Sequence, residues 1–236
     1  MNRYSQSDSI LRQSSQELQT YMAQVYGWMT CGLILTSVVA WLSIRIPTLM
    51  ELIVNNKNIL FTLIITQLAV SIFISSSIVN LSASAITGMF MLYSMLTGLV
   101  MSYIFLIYTS SSIVTTFCIA AAMFGIMSIY GYVTKRDLSR LNNIVLMALI
   151  GIVLSSLINF LLKSSMLMWF LTYISILLFV FLTACDTQKL KIIGNQIDMS
   201  DSDALRRSSI LGALILYLDF INLFNLLLKI GGDRNK

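Results

Sequence analysis

The chain has no histidine, a single proline and three cysteines in 236 residues. Without histidine there is no imidazole metal site, no His-based catalysis and no side chain that ordinarily titrates near neutral pH. Any pH response would have to come from carboxylates or a thiol in unusual surroundings. Cys31, Cys118 and Cys185 sit in or beside apolar stretches with no CxxC spacing. They read as small buried hydrophobes, not as a disulfide framework or zinc site. Charge is also scarce. Charged residues make up 11% of the chain, less than half of the roughly 25% usual for a soluble domain.

What fills the space is apolar: 57% of the residues are hydrophobic. So few charges cannot cover a soluble surface of this size, whereas a bilayer accepts apolar side chains directly. The net charge of +5 then reads as basic loops, not as a nucleic-acid surface. No glycine-rich phosphate loop or metal-protease motif is present. The start of the chain lacks the basic segment and apolar core of a cleaved signal peptide, so the first span is expected to direct insertion.

A span takes roughly 20 apolar residues, because the hydrocarbon core is about 30 Å thick. Seven such segments are predicted, at about Tyr21–Ile44, Ile59–Val79, Ala85–Tyr108, Ile113–Val133, Leu141–Leu162, Met166–Asp186 and Ser209–Leu228. The whole stretch from Asn58 to Thr134 carries no charge. It is cut into three spans at polar clusters. In lipid, every backbone group needs a partner within its own segment or in a closed barrel, and these runs are too long and too uniformly apolar for barrel strands. The expected fold is an all-α seven-transmembrane-helix bundle over residues 21–230. A polar N-terminal tail (1–20) and a short C-terminal tail (231–236) flank it. Charge bias alone leans to six spans plus a re-entrant hairpin; the length of the last apolar segment leans to seven, which we adopt. With seven, Arg3, Arg12, Lys135, Arg136, Arg140, Lys189, Lys191, Arg206 and Arg207 share one side. They outnumber the basic residues opposite, which favours a cytoplasmic N-terminus. Small residues at four-residue spacing (Ser84 and Gly88, Gly98 and Ser102, Gly151 and Ser155) would permit close helix contact.

One charge does not fit a loop or a helix end. Asp219 lies near the middle of the last span. An acid at a helix centre costs roughly 2.5 to 3.5 kcal/mol to insert, so it faces the bundle interior and is a functional candidate by default. Asn222 and Asn225 follow at three-residue steps and extend the same polar face. Their plainer reading is glue between helices. Asp186, taken alone, reads as an interfacial acid at the end of the sixth span. It lies on the segment next to that of Asp219, and the connecting loop can bring the two side by side. Two carboxylates in one dry site cannot both ionise easily, so they titrate as a unit. Ionised, they offer oxygen ligands suited to a hard cation such as calcium. The two meet only if the sixth helix continues past Lys189 and Lys191, whose long side chains would snorkel outward.

Three stretches resemble the Bax inhibitor-1 (transmembrane Bax inhibitor motif) family, in its bacterial inner-membrane branch. They are IFLIYTSSSIVTTFCIAAAMFGIMSIYGYVTKRDLS over Ile104–Ser139, LTACDTQKLK over Leu182–Lys191, and LYLDFINLF over Leu216–Phe224. The resemblance implies seven helices with a central last helix, in a multi-pass protein of the bacterial inner (plasma) membrane. It further implies a pH-sensitive calcium leak whose paired aspartates correspond to Asp186 and Asp219. The pattern departs at one point. Calcium-conducting members tie an aspartate to an arginine on the second helix, and here no Arg or Lys lies between Lys57 and Lys135. The carboxyl pair is therefore expected to lack a cation.

The leading expectation is a pH-gated pathway for calcium, with Asp186 and Asp219 as gate and ion ligands and Asn222 and Asn225 lining or bracing it. The alternative is a non-transporting regulator that binds a membrane-anchored quality-control protease through the polar tail. An enzyme is not expected. A Ser–His pair is impossible without histidine, and the GxGD-type motif of two-aspartate intramembrane proteases is missing. No cofactor is expected, and the lipid bilayer is the certain partner.

Overall fold

The computed structural model describes residues 2–77, 81–197 and 200–235. Among them the chain is helical without a strand. The one strand-like contact is an isolated antiparallel bridge between Tyr108 and Arg234. The helices are α1 (Asn2–Ser43), α2 (Pro47–Asn55), α3 (Lys57–Ser76), α4 (Ala83–Met101), α5 (Ile104–Ile107), α6 (Ser110–Val133), α7 (Ser139–Leu162), α8 (Ser165–Gly194) and α9 (Ser202–Gly231). Seven segments among the described residues are long and apolar enough to cross a bilayer. This is the predicted seven-span membrane fold. The expected end of the second span at Val79 lies outside the described residues.

Local chemistry sets the boundaries. Pro47 opens α2 at the first turn, where its missing N–H costs nothing. Thr109 caps α6 by accepting from the Ser112 N–H. Asp201 caps α9, its Oδ1 accepting from the N–H groups of Asp203 and Ala204 at 3.0 and 2.9 Å. Lys163 closes α7 in the left-handed region at φ 52°. The third span is broken near its end: α4 stops at Met101 and α5 resumes at Ile104.

Some sequence expectations need correction. Of the cysteines read as buried, Cys185 is buried but Cys31 and Cys118 are exposed. The sixth span does not stop at Asp186, since α8 runs on to Gly194. Of the polar stretch 187–208, residues 187–194 and 202–208 are helical and belong to α8 and α9. The charges of Lys189 and Lys191 suggested an end, but a helix stops where its backbone bonds stop. Here Leu190 and Gly194 continue the buried face while Lys189 stays exposed.

The spans differ in burial. The last is 56% buried, whereas Asn58–Ser76 and Asn143–Leu162 are each 6% buried. The two least buried spans leave most of their side chains exposed, and the last helix is the most buried of the seven. The expected central last helix agrees with this burial.

The chain divides into two compact units, Met1–Ile107 with Leu190–Tyr217, and Tyr108–Lys189 with Leu218–Lys236. In the first unit α1 and α4 approach closely at two glycines. A Cβ on Gly98 would meet the Thr36 carbonyl and Val39, and one on Gly32 would meet the Phe90 ring. Of the small residues singled out in the sequence, Gly98 thus makes a close contact. Gly88 and Gly151 have open space around them. The Tyr217 hydroxyl bonds Thr36 Oγ1 at 2.6 Å, and the Tyr217 ring stands edge-on to Phe90 and Tyr93. Gln67 on α3 donates to Thr97 on α4 at 2.9 Å.

In the second unit α6 offers a small or hydroxylated face: Ser112, Thr116, Ala120, Ser128 and Gly131 are buried, with Phe124 among them. α6 and α9 run antiparallel, with Ser112 beside Asp233 and Phe124 beside Phe220. A Cβ at Gly131 would collide with the carbonyl oxygen of Ala184 on α8. These contacts fix how the acids of α8 and α9 sit against α6.

Candidate functional site: a buried pair of acids

Asp219 is 3% exposed and Asp186 9%. Both belong to the second unit. The two carboxyls lie within electrostatic reach of each other, and the buried Cys185 thiol is within reach of both. Asp219 Oδ2 is buried with no hydrogen-bond partner. A carboxyl oxygen left unpaired in a dry interior costs free energy, about 1–3 kcal/mol for a neutral group and more for a charged one. A pair of acids that share a proton meets that cost in part, because a neutral carboxyl loses less on leaving water than a carboxylate does.

The extension of α8 makes this meeting possible. Ending at Asp186, the helix would leave that side chain in a flexible loop. Continuing to Gly194, it holds Thr183 to Gln188 as two buried turns. Thr187 donates to Ser128 Oγ on α6 at 3.4 Å. Leu138, Ala184 and Cys185 form an apolar wall, with Met127 packed against it. Such a wall excludes water and strengthens every electrostatic interaction beside it.

Gln188 is a supporting residue that the sequence did not reveal. Its Oε1 accepts from the Leu138 N–H, and its Nε2 donates to the Arg136 carbonyl, both at 2.8 Å. One amide thereby pins the charged loop between α6 and α7 beside the acids. A single glutamine among lysines gave no periodic or spacing signal.

No Arg or Lys lies between Lys57 and Lys135, and a basic residue stands near Asp186 on α8 instead. The Lys189 ammonium acts on the Asp186 carboxyl. It sits three residues further along the same helix, the spacing at which side chains meet. Asn222 and Asn225 are half-buried on α9. Neither supplies the missing bond, since Asp219 Oδ2 stays unpartnered.

Two carboxyls are few for a resident metal. Among the described residues no group of three or more His, Cys, Asp or Glu could hold an ion. Calcium takes six to eight oxygens, so the pair alone is no storage site.

The family model described as "Inhibitor of apoptosis-promoting Bax1" matches residues 18–236. "Inner membrane protein YbhL" of Escherichia coli (strain K12) is 59% identical over 99% of this chain and 100% of its own length. Uncharacterized proteins of Borreliella burgdorferi and Rickettsia prowazekii are 36% and 39% identical, over 95% and 92% of this chain and 97% and 91% of theirs.

Proposed function

The chain belongs to the Bax inhibitor-1 family, and from that premise we propose that it is a passive, pH-sensitive cation pathway of the bacterial inner membrane, with calcium as the ion carried. The single observation that carries the reading is the unpartnered Oδ2 of Asp219 in a buried mid-span carboxyl beside Asp186. An acid at that depth is expensive. Neither a loop nor a helix cap accounts for it.

The chemistry follows from the pair. Gain or loss of one proton changes the charge of the dry site by a full unit, and that charge acts at low effective dielectric. A shared proton lets the two carboxyls pack together. Removing or adding one alters their attraction for each other and for a passing cation. No histidine is needed for such a switch.

Weak binding suits passage. An ion must be held well enough to enter and loosely enough to leave. Two carboxylates without a third acid meet that requirement better than a complete calcium cage would. The inner membrane is the location named for the Escherichia coli relative, and it suits a multi-pass helical protein.

The test is calcium flux into liposomes that carry the purified protein and an enclosed calcium dye. The wild type is expected to leak at a rate that changes with pH, and Asp219→Asn to leak at a rate that does not. Equal leak in both at every pH would overturn the proposal.

A further inference from the structure

Resting on the cation-pathway reading, we infer that Phe220, with Phe117, Phe124 and Phe224, forms an apolar gate between the acid pair and a hydroxyl-lined exit at the C-terminal end of α9. All of these residues belong to the second unit.

Phe220 immediately follows Asp219 and is buried, as are Phe124 and Phe224. Three edge-to-face pairs tie the four rings together: Phe117–Phe220 with centroids 5.2 Å apart, Phe124–Phe220 at 5.7 Å and Phe117–Phe224 at 6.1 Å. Phe220 and Phe117 each take part in two of these pairs. Such contacts contribute about 0.5–1.5 kcal/mol each beyond the area they bury. The cluster is thus tied by specific ring contacts, with Phe220 and Phe124 buried at its centre and Phe117 exposed at its edge. A constriction lined by apolar side chains sheds water and blocks ions without being sterically closed.

What lies beyond the seal gives it a purpose. About two turns further along α9, a cavity of about 290 Å³ is lined by Ser111, Ser112, Thr115, Thr116 and Asp233, together with Leu227 and Ile230. Four hydroxyls and one carboxylate are oxygen ligands of the kind a hydrated hard cation exchanges for water. The last turn of α9 adds the negative end of a helix dipole at the same place. The end of the chain is fastened there: the Asp233 N–H donates to Ser112 Oγ at 2.9 Å, and the Thr109 N–H donates to the Asp233 carbonyl at 3.0 Å. Asp233 is therefore held at the mouth of the cavity.

The order of residues on α6 matches this path. Thr116 and Ser112 face the cavity, Phe117 and Phe124 face the rings of α9, and Ser128 bonds Thr187 beside Asp186. Polar groups stand on both sides of one apolar zone, which is the layout of a gate. The backbone link between Asp219 and Phe220 couples any rotation of α9 that follows a change in proton occupancy to the central ring of the seal.

The experiment uses the full-length protein in dye-loaded liposomes at the pH of lowest wild-type leak. Phe220→Ala and Phe124→Ala should each raise calcium leak severalfold, and Phe220→Leu should stay near wild type because it keeps the zone dry. Adding Thr116→Val to Phe220→Ala should lower the raised leak. Wild-type leak from Phe220→Ala and Phe124→Ala, both eluting as wild type on gel filtration, would overturn the gate. If the pH dependence is nevertheless lost in Asp219→Asn, the pathway reading survives that failure. If neither wild type nor any ring variant leaks at any pH, both fall together.

Discussion

Gly131 on α6 lies directly against the backbone of Ala184 on α8, so close that a Cβ at 131 would overlap the Ala184 carbonyl oxygen. The contact lies two residues before Asp186 and sets how deeply that acid enters the second unit. Backbone atoms cannot yield as the end of a flexible side chain can. Gly131→Ala is therefore expected to push α8 away and to cost about 1–3 kcal/mol, as overpacking does. Thermal unfolding in detergent measures the loss. Gly151→Ala, where a Cβ meets open space, should leave the melting temperature unchanged.

Asp219 should be a site where stability and function oppose each other. Replacing buried charged groups by well-packed apolar ones is often neutral or stabilising by about 1–4 kcal/mol. With Oδ2 unpartnered, Asp219→Leu is expected to melt at or above the wild-type temperature while its calcium leak loses all dependence on pH. A marked drop in melting temperature would mean that the carboxyl is tied into the fold by bonds that stabilise it.

Gln188 should act on the loop rather than on the acids. Its two hydrogen bonds reach Leu138 and Arg136, and each contributes about 0.5–1.5 kcal/mol net. Gln188→Ala is expected to expose the peptide bonds after Lys135 and Arg136 to trypsin. Digestion of proteoliposomes followed by mass spectrometry reads the cleavage. Protection equal to wild type would show that the loop is held by other contacts.

Tyr217 provides the contrast. Its hydroxyl bonds Thr36 within the first unit, whereas both acids belong to the second. Tyr217→Phe is expected to lower stability by about 0.5–1.5 kcal/mol and to leave the pH profile of leak in place. A shifted profile would mean that this network helps set the proton affinity of the pair.

Much of this could be read from the chain. Hydropathy alone located the seven spans, because an apolar run of that length has no other stable home. Asp219 stood out because a lone acid amid Leu, Tyr and Phe breaks the pattern of its segment. Asp186 was harder. Lys189 and Lys191 looked like a membrane boundary, yet α8 passes through them, since a helix persists while its buried face continues. Gln188 and the Phe117–Phe220 contact were not legible, because each depends on which faces of distant segments meet.

The central claim is that Asp186 and Asp219 hold one proton between them. Infrared difference spectroscopy of the protonated-carboxyl band, followed against pH in reconstituted protein, tests it most directly. The account predicts one titrating band in the wild type, with its intensity and midpoint altered in both Asp186→Asn and Asp219→Asn. Two bands that titrate independently, each removed by one variant and untouched by the other, would contradict it.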